Sequence, residues 1–185
     1  EIAKKVAEGL GRELVIIKTK WEGLDPALNS GRIDAIMAGM SPTAERKVNI
    51  DFSDSYYKSN LIMVVKKGGP YENATSLQDF SNAKITAQIS TYHYTVIGQI
   101  EGVQKQEAMI DFPTMRVALE SGIIDGYVSE RPEGISAEAA NPNLKMIEFQ
   151  EGFTTSDDDT AIAVGLKKNS PLREEINKIL AGISE

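Results

Sequence analysis

Apolar positions recur along this chain with two periods. Ile2, Val6 and Leu10 stand at i, i+4 and i+8, which predicts one buried face of a helix over Glu1–Leu10, ended by Gly11. Leu14–Thr19 is β-branched and predicts a strand. Trp21–Gly31 carries Pro26 near a first helical turn, where its missing N–H costs little. Ile33–Ala38 is a continuous apolar run, suited to a strand covered on both faces. A polar loop with a short helical turn, Gly39–Val48, leads to Asp51–Tyr57 and then to a strongly apolar strand, Leu61–Val65.

The second half repeats the alternation. Lys66–Ala74 is a turn rich in breakers, and Ser76 is a candidate N-cap for a short helix, Leu77–Phe80. Strands are predicted at Lys84–Gln88, Glu107–Met109, Ile123–Val128, Lys145–Phe149 and Ala161–Leu166. Helices are predicted at Ser90–Ile100, Pro113–Glu120, Ser136–Ala140 and Pro171–Ala181. Glu151–Asp159 reads as an acidic loop. The alternation of strand and helix favours α/β lobes with largely parallel sheets.

One unit occurs twice. Ala27–Gly39 reads A-L-N-S-G-R-I-D-A-I-M-A-G and Ala118–Glu130 reads A-L-E-S-G-I-I-D-G-Y-V-S-E. Each copy predicts a helix end, a glycine stop and a buried strand. Two copies imply two similar α/β lobes, and ligands of open α/β sheets bind beyond the carboxyl ends of strands. The segments after the two strands are therefore the first candidates for function. Asp34 and Asp125 lie at the opposite, entry ends and read as structural.

Composition narrows the classes. The 185 residues carry a net charge of −7, which disfavours nucleic-acid binding. No apolar run is long enough to span a membrane. Without cysteine there are no disulfides or thiolate metal sites, and the single histidine, His93, reads as a structural residue rather than a ligand. No P-loop, G-x-G-x-x-G, G-x-S-x-G or H-E-x-x-H motif is present, so no cofactor, metal site or catalytic residue is expected. The run Asp157–Asp159 lacks the spaced oxygens of a calcium loop and reads as a solvated acidic turn.

Several groups could bind a small polar ligand. Gly39, Ser41 and Arg46 follow the first repeated strand; the planar Arg fork grips a carboxylate in two places, though a capped loop with a surface Arg is an equal alternative. Gln88–Tyr92 joins a predicted strand to a helix, where backbone N–H groups and the Thr91 hydroxyl could hold an anion; a plain N-cap at Ser90 or Thr91 explains the same residues. Ser129 and Glu130 end the second repeated strand, where a carboxylate suits an ammonium group or is simply solvated. Trp21 could line a ligand or pack in the core.

The ordered set W-x-G-L-x-P-A-L-x-S-G-x-I-D, A-G-M-S-P-T-x-E-R-K and D-F-S-D-x-Y-Y, continued through Gln88–Thr91 and S-G-I-I-D-G-Y-V-S-E, resembles the polar-amino-acid substrate-binding proteins of ABC importers across nearly the whole chain. The resemblance implies a two-lobed periplasmic-binding-protein type II fold with mostly parallel sheets. Lobe 1 would take residues 1–57 and 161–185, lobe 2 residues 61–158, with hinges near 57–60 and 159–161. It further implies that Arg46 and Thr91 hold the ligand α-carboxylate. The Gly39 carbonyl, the Ser41 hydroxyl and Glu130 would face the α-ammonium. Trp21 would form the aromatic wall, and Gln88 and Ser129 would set side-chain selectivity. The first lobe would lack the family's N-terminal strand and C-terminal helix, and Ser55 and Ser90 stand where Pro and Gly are usual.

The implied activity is non-enzymatic. The protein would bind a free amino acid, polar or basic by preference, in the periplasm or as a cell-surface lipoprotein, and deliver it to the membrane permease. The alternatives are an enzyme on the same scaffold, such as a dehydratase of cyclic carboxylates, and the ligand-sensing domain of a membrane receptor.

Overall fold

The structure is a computed structural model that describes residues 1–183. The helices, in chain order, are α1 (Ile2–Gly9), α2 (Leu24–Asn29), α3 (Ala44–Asn49), α4 (Tyr92–Val96), α5 (Phe112–Glu120), α6 (Arg131–Ala140), α7 (Asp157–Thr160) and α8 (Leu172–Ala181). The strands are β1 (Ala35–Ile36), β2 (Ile50–Phe52), β3 (Tyr57–Lys58), β4 (Leu61–Lys66), β5 (Lys84–Thr86), β6 (Gln104–Lys105), β7 (Gly126–Glu130), β8 (Leu144–Ile147), β9 (Ala161–Ile162) and β10 (Gly165–Lys167). The chain divides into two compact units. The first comprises Glu1–Lys58 and the chain from Asp157 onward, the second Ser59–Ser156.

In the first unit β10 lies between β1 and β2, antiparallel to both, and β3 pairs antiparallel with β9. Leu24, Leu28, Ile36, Met40, Ile50, Phe52 and Ala163 pack into one core cluster, with Trp21 against its edge. A second cluster joins Val6 of α1 to Val164, Leu166 and the Ile176 and Leu180 face of α8. The apolar face read from Ile2, Val6 and Leu10 thus packs on α8 and the sheet.

The second unit holds a five-stranded sheet in the order β6-β5-β7-β4-β8. Strand β4 divides its side chains between two cores. Leu61, Met63 and Val65 join Phe80, Ile85, Ile97 and Val128 on one face, while Ile62 and Val64 join Met115, Leu119, Tyr127 and Leu144 on the other.

The expectation of mostly parallel sheets is wrong. Among the described residues β5 runs parallel to β6 and β7, but β4 is antiparallel to β7 and β8, and both sheets of the first unit are antiparallel. The physical reason lies in β4. A continuous apolar run reports burial on both faces, and burial is blind to strand direction.

Other elements shift. Leu14–Thr19 forms no strand; Val15 and Ile16 are 70% and 81% exposed, and the segment joins none of the sheets. β-branched residues favour an extended backbone, but a strand also requires a neighbour to complete its ladder. The strand predicted at Ile123–Val128 begins three residues later, because Gly122 to Asp125 still belong to the turn that closes α5. The helix predicted at Ser136–Ala140 begins at Arg131, with Pro132 in its first turn.

The repeated unit folds alike in both copies. Gly31 and Gly122 both adopt positive φ, 76° and 75°, which a side chain would strain. In both turns two consecutive N–H groups return to one helix carbonyl: Arg32 and Ile33 donate to Ala27, and Ile123 and Ile124 to Ala118. The Ser30 hydroxyl donates to Ala27 O, and that of Ser121 to Val117 and Ala118 O. Asp125 is a structural residue: its carboxylate and its N–H bond the backbone of Lys84, both at 2.8 Å, tying β7 to the start of β5.

Candidate functional site

The first repeat runs from β1 into Gly39, which has φ of 65°, and then into Met40 and Ser41, both buried. The Ser41 hydroxyl donates to the carbonyl of Asp159 at 2.8 Å. With that proton committed, the oxygen is left to accept from another donor. Pro42 and Thr43 turn the chain into α3. Thr43 caps it, its hydroxyl accepting from the N–H of Arg46.

Arg46 projects from this first turn and is partly buried. Its Nη1 donates to Ser41 O at 2.9 Å, and its guanidinium lies 5.2 Å from the centroid of the Trp21 ring. Trp21, Ser41 and Arg46 therefore form one constellation, and Trp21 serves both as core edge and as the face beneath a cation. The acidic run beside it is not a free loop. It forms α7, with Asp158 paired to Lys47 at 2.6 Å and Asp157 to Lys58 at 3.3 Å.

A surface cavity of about 340 Å³ opens elsewhere on this unit, lined by Pro42, Lys47, Asp51, Asp158, Lys168 and Arg173 among others. It includes none of the sequence-predicted site residues. Two of its cations are already neutralised, Lys47 by Asp158 and Lys168 by Asp51 at 2.9 Å.

In the second unit Gln88 continues β5 through a parallel bridge to Met109. Its amide nitrogen donates to Ile110 O, and its carbonyl accepts from the Thr91 hydroxyl at 2.7 Å. Ser90 adopts a positive φ of 59°, and Thr91 sits at the N-cap position of α4. The Thr91 side chain makes no cap bond to α4 and instead braces the strand-to-helix turn through Gln88.

Ser129 and Glu130 end β7, opposite Ile62 and Leu61 of β4. Ser129 is fully buried, and its hydroxyl has no hydrogen-bond partner among the described residues. Glu130 precedes α6, and its side chain is 12% exposed.

Glu130 has a partner that the sequence did not suggest. Oε1 lies 3.2 Å from Nε2 of His93, whose side chain is 9% exposed. His93 is thus a buried member of the cluster. The only signal was its position two residues beyond Thr91; that α4 packs beside β7 is a fact of sheet order, invisible in the sequence.

A further buried network stands behind the sheet. Glu133 Oε1 accepts from Arg116 Nε and Nη2, at 3.0 and 2.7 Å, and from the Tyr127 hydroxyl at 3.1 Å. Burial raises the Glu133 carboxyl pKa, and Arg116 opposes the rise. Burial also pushes the Tyr127 phenol far up. All three groups lie in the second unit and brace α5 and α6 against β7.

The two copies of the repeat thus lead to different groups: the first runs on to Arg46 beside the Trp21 ring, and the second ends in Glu130. Residues 1–185 match the bacterial extracellular solute-binding proteins, family 3, and the chain belongs to that family. It is 31% identical over 186 residues to a probable histidine-binding protein of Campylobacter jejuni, the match covering 100% of this chain and 69% of that one. It is 28% identical to the arginine-binding extracellular protein ArtP of Bacillus subtilis, over 97% of this chain and 69% of the relative.

Solved structures agree. An amino acid ABC transporter substrate-binding protein from Streptococcus pneumoniae bound to L-arginine superposes with a TM-score of 0.86 at 29% identity, over 98% of this chain and 74% of that one. An ancestral arginine-binding protein bound to glutamine gives 0.83 at 30% identity, over 98% and 78%. All of these relatives are named as binding proteins, which favours the binding reading over the dehydratase alternative.

Proposed function

We propose that this protein binds a free polar or basic amino acid outside the cytoplasm and delivers it to the membrane permease of an ABC importer. Arg46 takes the α-carboxylate, with the Thr91 backbone N–H as a second donor, since the Thr91 hydroxyl proton is held by Gln88 O. Glu130 takes the α-ammonium, with Ser41 and the Gly39 carbonyl as further acceptors. Trp21 supplies the wall, and Gln88 and Ser129 meet the ligand side chain.

The observation that carries this reading is the held guanidinium. Arg46 is anchored by the Ser41 carbonyl and stacked near Trp21, so little of its freedom remains to be lost on gripping a carboxylate. The two units carry opposite charges on corresponding repeat ends, and a zwitterion removed from water requires both of its charges paired. The ligand class is supported by relatives named for arginine, histidine, cystine and glutamine, all with polar or basic side chains or a polar disulfide. We place hinges near 57–60 and 159–161; the chain passes between the units at Lys58–Ser59 and at Ser156–Asp157. Ligand that engages groups on both units shifts an open–closed equilibrium by its differential affinity for the closed state.

Calorimetric titration with each of the twenty amino acids tests the reading. Saturable binding of a polar or basic L-amino acid, without chemical change to it, is expected. Turnover of a cyclic carboxylate, or no binding of any amino acid, would overturn it.

A further inference from the structure

We propose that His93 is a positioning residue for the ammonium site: it holds Glu130 through Nε2 and orients the carboxylate that meets the ligand. The proposal rests on the reading of Glu130 as the ammonium partner.

The geometry carries it. Nε2 of His93 and Oε1 of Glu130 are 3.2 Å apart, and both side chains are nearly out of solvent, at 9% and 12% exposure. The other ring nitrogen, Nδ1, is buried and has no partner among the described residues. That asymmetry selects a tautomer. With the proton on Nε2, the ring donates to Glu130, and Nδ1 is a bare acceptor. A second proton on Nδ1 would be a buried donor without an acceptor, which costs more than leaving a lone pair unused. The neutral, Nε2-protonated ring therefore suits this pocket. The pair then carries one negative charge, the complement of one ammonium.

The consequence for the ligand is specific. Oε1 is held by the ring, which restrains the long Glu side chain and leaves its second oxygen to accept from the ammonium. Tyr92, from α4 itself, packs against the ring, with centroids 4.6 Å apart.

The test titrates L-arginine, L-histidine and L-glutamine into the wild type, H93Q and H93L at pH 7.5. Gln places a donor near the position of Nε2; Leu keeps bulk and loses the donor. At pH 7.5 H93Q should bind within about threefold of wild type. H93L should bind roughly 10- to 100-fold more weakly, the worth of one hydrogen bond to a charged group.

A ligand-side control separates positioning from mere packing. H93L should not weaken 5-guanidinopentanoate, which is arginine without its α-ammonium. Imidazole nitrogen NMR of the free protein at pH 7.5 should show the Nε2-protonated tautomer. Equal affinity of H93L and wild type, equal losses for L-arginine and its deamino analogue, a loss in H93Q as large as that in H93L, or the Nδ1-protonated tautomer would each overturn the proposal. If the wild type binds amino acids and R46A does not, while H93L changes nothing, the site reading stands and this inference alone falls. If the wild type binds none of the three, both fall.

Discussion

Replacing Arg46 separates three contributions that the structure combines in one side chain: charge, a two-pronged donor and a stack. The guanidinium donates to Ser41 O at 2.9 Å and lies 5.2 Å from the Trp21 centroid. Truncating one partner of a hydrogen-bonded charge pair costs about 2–5 kcal/mol, and a site that is partly exposed belongs in the lower part of that range. R46A should therefore weaken L-arginine binding by roughly 30- to 1,000-fold, at about 1.4 kcal/mol per tenfold. R46K keeps the charge but loses the fork and the planar stack, together about 1.5–3 kcal/mol, for roughly 10- to 100-fold.

The fold should survive both changes, since Arg46 stands beside the core cluster rather than in it. Isothermal titration with L-arginine gives the affinities, and circular dichroism gives the fold. Fluorescence of Trp21, the protein's single tryptophan, reports its local environment. Agmatine, which is arginine without its carboxylate, completes a cycle in which R46A should cost almost nothing. An R46A protein that is folded and binds L-arginine within threefold of wild type would refute the carboxylate assignment. So would an equal loss for agmatine.

Three further outcomes follow from the same contacts. E133A strands the Tyr127 hydroxyl and leaves Arg116 only its bond to the Ser136 hydroxyl, and should destabilise the second unit by about 3–5 kcal/mol; E133Q, which still accepts, should cost less, as read by urea unfolding followed by circular dichroism. The backbone N–H groups of Thr75 and Ser76 hold the Asp79 carboxyl pKa below its ordinary 3.8, and Asn169 and Lys168 do the same for Asp51. A lowered folded pKa gives stability that is complete above the unfolded value and lost as pH falls below it. Thermal melts should therefore drop below about pH 4, and D79N should be weaker at neutral pH but lose less on acidification. S129A removes a buried hydroxyl that bonds nothing in the described structure, so thermal melting should be unchanged or slightly raised, whereas S41A should lose about 1 kcal/mol with its bond to Asp159.

What the sequence determined by itself was local. The two A-L-x-S-G-x-I-D segments fold into the same turn because their hydrogen bonds close within a few residues, and because the glycine after each serine accepts a positive φ. The amphipathic faces of α1 and α8, the Thr43 cap and the two-sided burial of β4 follow from side-chain period and chemistry in the same way.

What the tertiary structure decided was every relation between distant segments. Strand direction is one, since an apolar run reads alike in parallel and antiparallel sheets. The partner of Ser41 is another, 118 residues away at Asp159. The partner of Glu130 is a third: His93, 37 residues earlier, set against it by a helix packed beside β7. Leu14–Thr19 shows the converse, strand-like in composition yet unladdered, because a strand is defined by its neighbour. The repeat thus determined where two polar ends would stand, and packing decided which groups meet them there.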